Sequence, residues 1–188
     1  MSELLPPDQR LRSPVVVRPA HVVLVQPEIP PNTGNIARLC AATGCALHLV
    51  KPLGFRIDEH AVRRAGLDYW PLVQLHVHED LDAAEALVAS LCLSDHGRHS
   101  HSWLFSGRAQ RNLYDVHVCP GDALIFGKES VGLEEALLET RAGSTVAIPT
   151  CGPVRSLNLS NSVAIAVYES LRQNAVMTTS APGPAHRP

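Results

Sequence analysis

The sequence has no apolar run long enough to cross a bilayer. The longest, such as Val163–Tyr168, fall far short of the ~20 residues that a spanning helix needs. Residues 1–20 lack an apolar signal core followed by a small-residue cleavage site, which argues against secretion. There is no C-x-x-C pair. The five cysteines (Cys40, Cys45, Cys92, Cys119, Cys151) are odd in number and widely spaced, whereas zinc sites and small disulfide frameworks show tight, paired spacing. They read as reduced thiols of a cytosolic protein. Positive charge is not in excess: 16 Lys and Arg face 18 Asp and Glu, for a formal net charge of −2. No global electrostatic signature of a nucleic-acid binder is therefore present, and any phosphate contact must come from local clusters, because screening limits charges to about 8–10 Å. The dinucleotide fingerprint G-x-G-x-x-G, the phosphate loop G-x-x-x-x-G-K-[ST] and the hydrolase elbow G-x-S-x-G are all missing, so the chemistries those motifs serve are poorly supported.

What remains is a chain of 188 residues with 45% apolar and 18% charged residues, enough for one domain with a substantial core. Residues 1–20 and 175–188 are rich in proline and poor in apolar periodicity and read as tails around a domain over 21–174. Within it, strand and helix signals alternate. His21–Val25 is a short β-branched run, and a helix beginning near Asn32 or Thr33 ends at Gly44. Ala46–Val50 reads as a strand, Glu59–Ala65 as a short helix and Leu72–Val77 as a weaker strand. Leu81, Ala84, Leu87, Val88 and Leu91 recur at helical spacing. Trp103–Ser106, Ala123–Phe126 and Thr145–Ile148 are further strands, and Leu159–Gln173 is a final helix. This alternation predicts an α/β domain with a mostly parallel sheet flanked by helices.

The final helix is apolar nearly all round from Val163 to Tyr168, which predicts a second covering surface and hence a homodimer. Ten histidines are present, and His96, His99 and His101 cluster beside Asp95. That stretch is polar, contains Gly97 and matches no zinc spacing. It reads as a surface loop, and no metal is expected.

Three segments stand out for chemistry. Pro27–Cys40, P-E-I-P-P-N-T-G-N-I-A-R-L-C, follows a strand and opens a helix. It is either a capped structural turn or an anion site at a helix start, with Arg38 about one turn further on. Gly127–Leu133, G-K-E-S-V-G-L, follows the apolar strand Leu124–Phe126. Its glycines either admit a ligand close to the backbone or simply turn the chain. Ile148–Ser162, I-P-T-C-G-P-V-R-S-L-N-L-S-N-S, is a polar loop running into the most apolar helix. Capping by Ser156, Asn158 or Ser160 explains part of it, and a functional loop on a rigid scaffold explains the rest.

Taken in order, PEIPPNTGNIARLCAATG, RRAGLDYW, FGKESVGL and IP…RSLNLSNSVAIAVYE resemble the SPOUT RNA methyltransferases over about residues 21–173. Within them the match looks like the TrmL (YibK-like) branch of tRNA ribose 2′-O-methyltransferases. The resemblance implies an α/β fold with a C-terminal deep trefoil knot, S-adenosyl-L-methionine as cofactor, tRNA as substrate and a homodimer. It implies methylation of the wobble-nucleotide ribose, cytidine or modified uridine, of leucine tRNAs. By motif, Arg38 corresponds to the family's catalytic arginine, with Ser156 and Asn158 beside it. Phe105, Gly127, Ile148, Ser156 and Leu157 correspond to cofactor contacts, with Glu129 supporting the loop. Arg38, Arg63, Arg64 and Arg155 are the expected RNA contacts. Around Phe105 this chain reads W-L-F-S-G-R-A-Q-R, where the branch usually carries small hydroxyl residues. A catalytically silent RNA-binding module of the same fold, or a methyltransferase for another tRNA or rRNA position, is the alternative.

Overall fold

The computed structural model describes residues 19–55 and 70–174. The helix expected over 59–65, Arg63, Arg64, residues 1–18 and the tail 175–188 lie outside them.

In chain order the elements are β1 (His21–Val25), α1 (Pro30–Thr43), β2 (Ala46–Val50), β3 (Leu75–His78), α2 (Leu81–His96), β4 (Ser102–Phe105), β5 (Arg111–Asn112), β6 (Ala123–Phe126), α3 (Glu135–Thr140), β7 (Thr145–Ala147) and α4 (Leu159–Gln173). The seven strands form one sheet in the order β3-β2-β1-β6-β4-β7-β5, and every pairing in it is parallel. The mostly parallel α/β sheet expected from the sequence is thus present. From β1 the chain builds outward through β2 and β3, then crosses to the other side for the remaining strands. The reversal of direction falls between β1 and β6, and in open parallel sheets the crevice beyond the strands' carboxyl ends at such a switch is where ligands bind.

Alternate residues feed two cores. Val22, Leu24, Leu47, Leu49, Phe105, Leu124 and Phe126 pack under α1 and α4, through Ile36, Ala37, Cys40, Val163, Ala166 and Val167. Val23, Val50, Leu104, Ala123 and Ile125 face Ala84 and Val88 of α2 and Leu133. Burial on both faces is why β1 and β6 read as continuous apolar runs rather than alternating ones. Burial also pushes the Cys45 thiol up to about 11, so it stays protonated and inert in this core.

Helix α1 starts at Pro30, two residues earlier than the Asn32 start expected from the sequence. Proline lacks the N–H that the first turn leaves unbonded in any case, so Pro30 and Pro31 open the helix rather than precede it. It ends at Gly44, whose φ of 76° and N–H to the Cys40 carbonyl form a left-handed cap. Helix α2, capped by the Asp80 side chain on the Ala83 N–H, runs on to His96. His96 therefore closes a helix instead of sitting in the expected loop. Beyond it, the buried Asp122 carboxylate gathers the Arg98 guanidinium at 2.7 Å and the His101 N–H at 2.9 Å. The two-residue β5 and the short α3 carry too little periodicity to be seen in sequence.

On the α2 face of the sheet, neighbouring strands place imidazoles side by side. His21 Nδ1 lies 2.9 Å from His48 Nε2, and His48 Nδ1 lies 3.0 Å from His78 Nε2. His76 stacks on His48 with ring centroids 4.8 Å apart. Burial, together with the neighbouring His21, His76 and His78, lowers the His48 pKa from 6.5 to about 2. Burial also lowers that of His78.

After β6 the chain doubles back. The Gly132 N–H donates to the Lys128 carbonyl at 2.8 Å, and Gly132 has φ +80°. A Cβ on Gly127 would lie 2.1 Å from the Gly132 carbonyl carbon and 2.2 Å from the Leu133 nitrogen. Gly127 is required by the loop's own closure.

Two outcomes follow from this packing. Gly127→Ala is expected to lower unfolding free energy by on the order of 3 kcal/mol, seen as a lower urea midpoint with unchanged slope. His48 stays neutral when folded but gains a proton in the unfolded chain below about pH 6.5. Stability is then complete above that pH and falls as the pH drops from 6.5 towards 2, by about 1.4 kcal/mol per pH unit for such a group. Thermal denaturation followed between pH 7 and pH 5 checks this, and His48→Gln is expected to flatten the dependence.

Candidate active site

Four loops leave the carboxyl ends of β1, β4, β6 and β7 on the same edge of the sheet. Together they enclose a cleft of about 890 Å³. It is lined by Phe105, Gly127, Glu129, Ile148, Arg155, Ser156, Leu157 and Asn158, so these eight residues singled out in the sequence come together. Arg38 is not among the lining residues. It is exposed on α1, six residues past Asn32, which does line the cleft. Arg63 and Arg64 lie outside the described residues.

The floor is apolar. Phe105 of β4 and Phe126 of β6 stack with centroids 4.4 Å apart and planes 16° from parallel. Ile148 and Leu157 add aliphatic surface, while Ser156 and Asn158 bring polar groups to the rim. An apolar pocket with a few convergent polar groups suits a small molecule that is part flat ring and part charged chain.

Asn32 ties the loops together. Its Nδ2 donates to Glu129 Oε1 at 2.9 Å, and its Oδ1 accepts from Asn158 Nδ2 at 3.0 Å. Asn158 also caps α4, its Oδ1 accepting from the Ser160 N–H at 2.9 Å. Three distant stretches therefore meet through two side-chain amides and one carboxylate. Glu129 further accepts the N–H groups of Glu28 at 2.8 Å and Ile29 at 3.2 Å. Glu28 reciprocates: its carboxylate accepts the Ser130 N–H and hydroxyl, each at 3.0 Å. Those two bonds hold the Glu28 carboxyl below the usual carboxylate range. Beside this clasp, Gln26 adopts φ 52° without being glycine, and Lys128 Nζ reaches its Oε1 at 3.4 Å. Strained backbone of this kind clusters where loops must be held for function.

The sequence pattern reads Asn32 as the start of a helix and gives Glu28 and residues 106–112 no role of their own. Glu28 sits at a strand's carboxyl end beside a proline turn, and Ser106–Asn112 follows another strand end. That placement is the signal by which both can be found.

A family model described as the SpoU rRNA methylase family matches residues 19–168. The tRNA (cytidine(34)-2'-O)-methyltransferase of Acidovorax sp. (strain JS42) is 44% identical over 164 residues, covering 84% of this chain and 94% of that protein. That of Burkholderia pseudomallei (strain 1106a) is 47% identical over 154 residues, covering 81% and 94%. A solved structure from work on the 2-OH methylation of C/U34 on tRNA is 45% identical, covers 83% of this chain and 96% of its own, and superposes with a TM-score of 0.72. The SpoU methyltransferase AviRb of Streptomyces viridochromogenes shares the fold, at 22% identity and a TM-score of 0.69. With Glu129 and Asn158 meeting at Asn32 and a match across most of its length, the chain belongs to the SpoU rRNA methylase family.

Proposed function

We propose that this protein is an S-adenosyl-L-methionine-dependent tRNA 2′-O-methyltransferase acting in the cytosol on the ribose of the wobble nucleotide, cytidine or modified uridine, of leucine tRNAs. The observation that carries the reading is the single cleft that Asn32, Glu129 and Asn158 close at the sheet's switch point. Relatives of 44% and 47% identity named for methylation of cytidine 34 support it. The deep trefoil knot implied by the resemblance, threaded by the C-terminal segment, is part of the same proposal.

The residues present fit the cofactor: a backbone loop closed tightly at Gly127, an apolar floor at Phe105, Ile148 and Leu157, and polar groups at Ser156. When bound, S-adenosyl-L-methionine supplies an activated sulfonium methyl. The protein's own task is then alignment and exclusion of water, for which well-oriented reactants gain on the order of 7–11 kcal/mol. Glu129 and Asn158 position the loops on either side of the cleft. Ser156 and Asn158 hold the polar end of the cofactor or the target ribose. As a guanidinium, Arg38 offers hydrogen-bond donors and no acceptor. It therefore serves to polarise the ribose hydroxyl or fix the adjacent phosphate, not to remove the proton itself. Arg63, Arg64 and Arg155 add phosphate contacts, which position the strand without reading its sequence.

A homodimer belongs to this reading. Arg38 does not line its own chain's cleft, and α1 packs against α4. On α4 Ile165 is half-buried and Tyr168 is 49% exposed. A second copy docked on this side covers that apolar face and brings Arg38 towards the partner's cleft.

Purified protein with labelled S-adenosyl-L-methionine and bulk tRNA is expected to place label in a 2′-O-methyl nucleotide. Arg38→Ala is expected to reduce the rate by roughly 100-fold or more. Label found on a base overturns the ribose assignment. tRNA binding that is indifferent to cofactor, with no heat of cofactor binding, identifies a silent module instead. Sedimentation is expected to give a dimer that Tyr168→Asp converts to monomer.

A further inference from the structure

Nearly every cationic side chain among the described residues is engaged. Lys51 pairs with Glu79, Arg98 with Asp122, Arg108 with Glu135, Arg141 with Glu85 and Arg172 with Glu169. Lys128 binds Gln26, and Arg38 also has a partner. Arg111 and Arg155 are the two that take no hydrogen bond or ion pair among the described residues. Both border the cleft.

Their setting is particular. Arg111 opens β5, the edge strand beside β7. It borders the cleft on one side and a second cavity of about 590 Å³ on the other, where Leu138, Ala142 and Thr145 form part of the wall. Arg111 thus stands on the seam between the two cavities. The loops that carry the two arginines abut: a Cβ on Gly107 would lie 3.5 Å from the Arg155 carbonyl oxygen. Of the two acids on the second cavity's wall, Glu135 and Glu139, Glu135 is already neutralised by Arg108 at 2.8 Å.

Two unpaired guanidiniums bordering one opening repel each other unless an anion lies between them. The planar fork of donors matches phosphate oxygens in pairs. A cofactor carboxylate is one anion, confined to the cleft. A ligand held by Arg111 at the seam extends past the cleft, as a polyanionic strand does. We infer that the phosphodiester backbone of the substrate RNA crosses Arg111 and Arg155 at this seam, so that the nucleotide flanking the target leads into the second cavity. The inference rests on the tRNA reading above and adds Arg111, which the family resemblance did not include.

The test is the salt dependence of tRNA binding, measured on the full chain between about 50 and 200 mM salt. Each phosphate contact removed is expected to flatten the slope of log K against log salt by about 0.7–0.9. Arg111→Ala is expected to lose one contact and weaken tRNA binding about tenfold. Arg111→Lys keeps the slope, and the Arg111→Ala/Arg155→Ala pair loses twice as much. Calorimetry on the same variants is expected to show S-adenosyl-L-methionine affinity unchanged. An unchanged slope in Arg111→Ala overturns the inference. So does a loss of cofactor affinity, which assigns the arginine to the cofactor carboxylate. Wild-type protein that methylates tRNA while Arg111→Ala binds it normally leaves the function standing and removes only the strand path. Wild-type protein that binds no tRNA overturns both.

Discussion

The active-site edge of this molecule depends on one exchange of carboxylates. Glu129 takes three donors from the turn that opens α1, and Glu28 in that turn takes two from Ser130. Neither loop has enough apolar surface to fix itself, and both lie at strand ends where backbone groups run out of ladder partners. Charge-assisted bonds of this kind are roughly twice as strong as neutral ones, and five of them converge within a few residues. Asn32 extends the clasp to the cap of α4. The parallel sheet supplies the common edge, but the carboxylates decide how the loops face each other across it.

At Gly127 the site tolerates no side-chain bulk. The backbone of this loop closes on itself at Gly127, where no Cβ fits. Selectivity must then come from the apolar floor at Phe105 and Phe126 and from the polar rim. Charge is placed further out, on arginines that are not spent on internal pairs. In the proposed function, a small activated cofactor within and a long polyanion without make opposite demands on one opening, and this separation meets both.

Much of the fold was legible in the sequence. The strands at His21–Val25, Ala46–Val50 and Ala123–Phe126 and the helix Leu159–Gln173 stand at the residues their patterns imply, because each is long enough and apolar enough for periodicity to speak. β5, with two residues, and α3, with six, are fixed by tertiary neighbours and left no pattern. The candidate site was legible as motifs in order, and eight of its residues share the cleft. What could not be read was the role of Asn32, since its amide looks like any helix start until Glu129 and Asn158 arrive from about a hundred residues away. Nor could spacing reveal that Arg38 is not among the residues lining its own chain's cleft, which depends on the rotation of α1 against the sheet.

The imidazoles across β1, β2 and β3 carry a consequence of their own. His48 is bonded through both ring nitrogens, so while neutral it must donate on one side and accept on the other. Whichever tautomer His21 presents to His48 therefore dictates what His78, two strands away, must present in return. The file has a polarity and can reverse it only as a unit, which makes three separate side chains a single two-state element in an otherwise apolar wall.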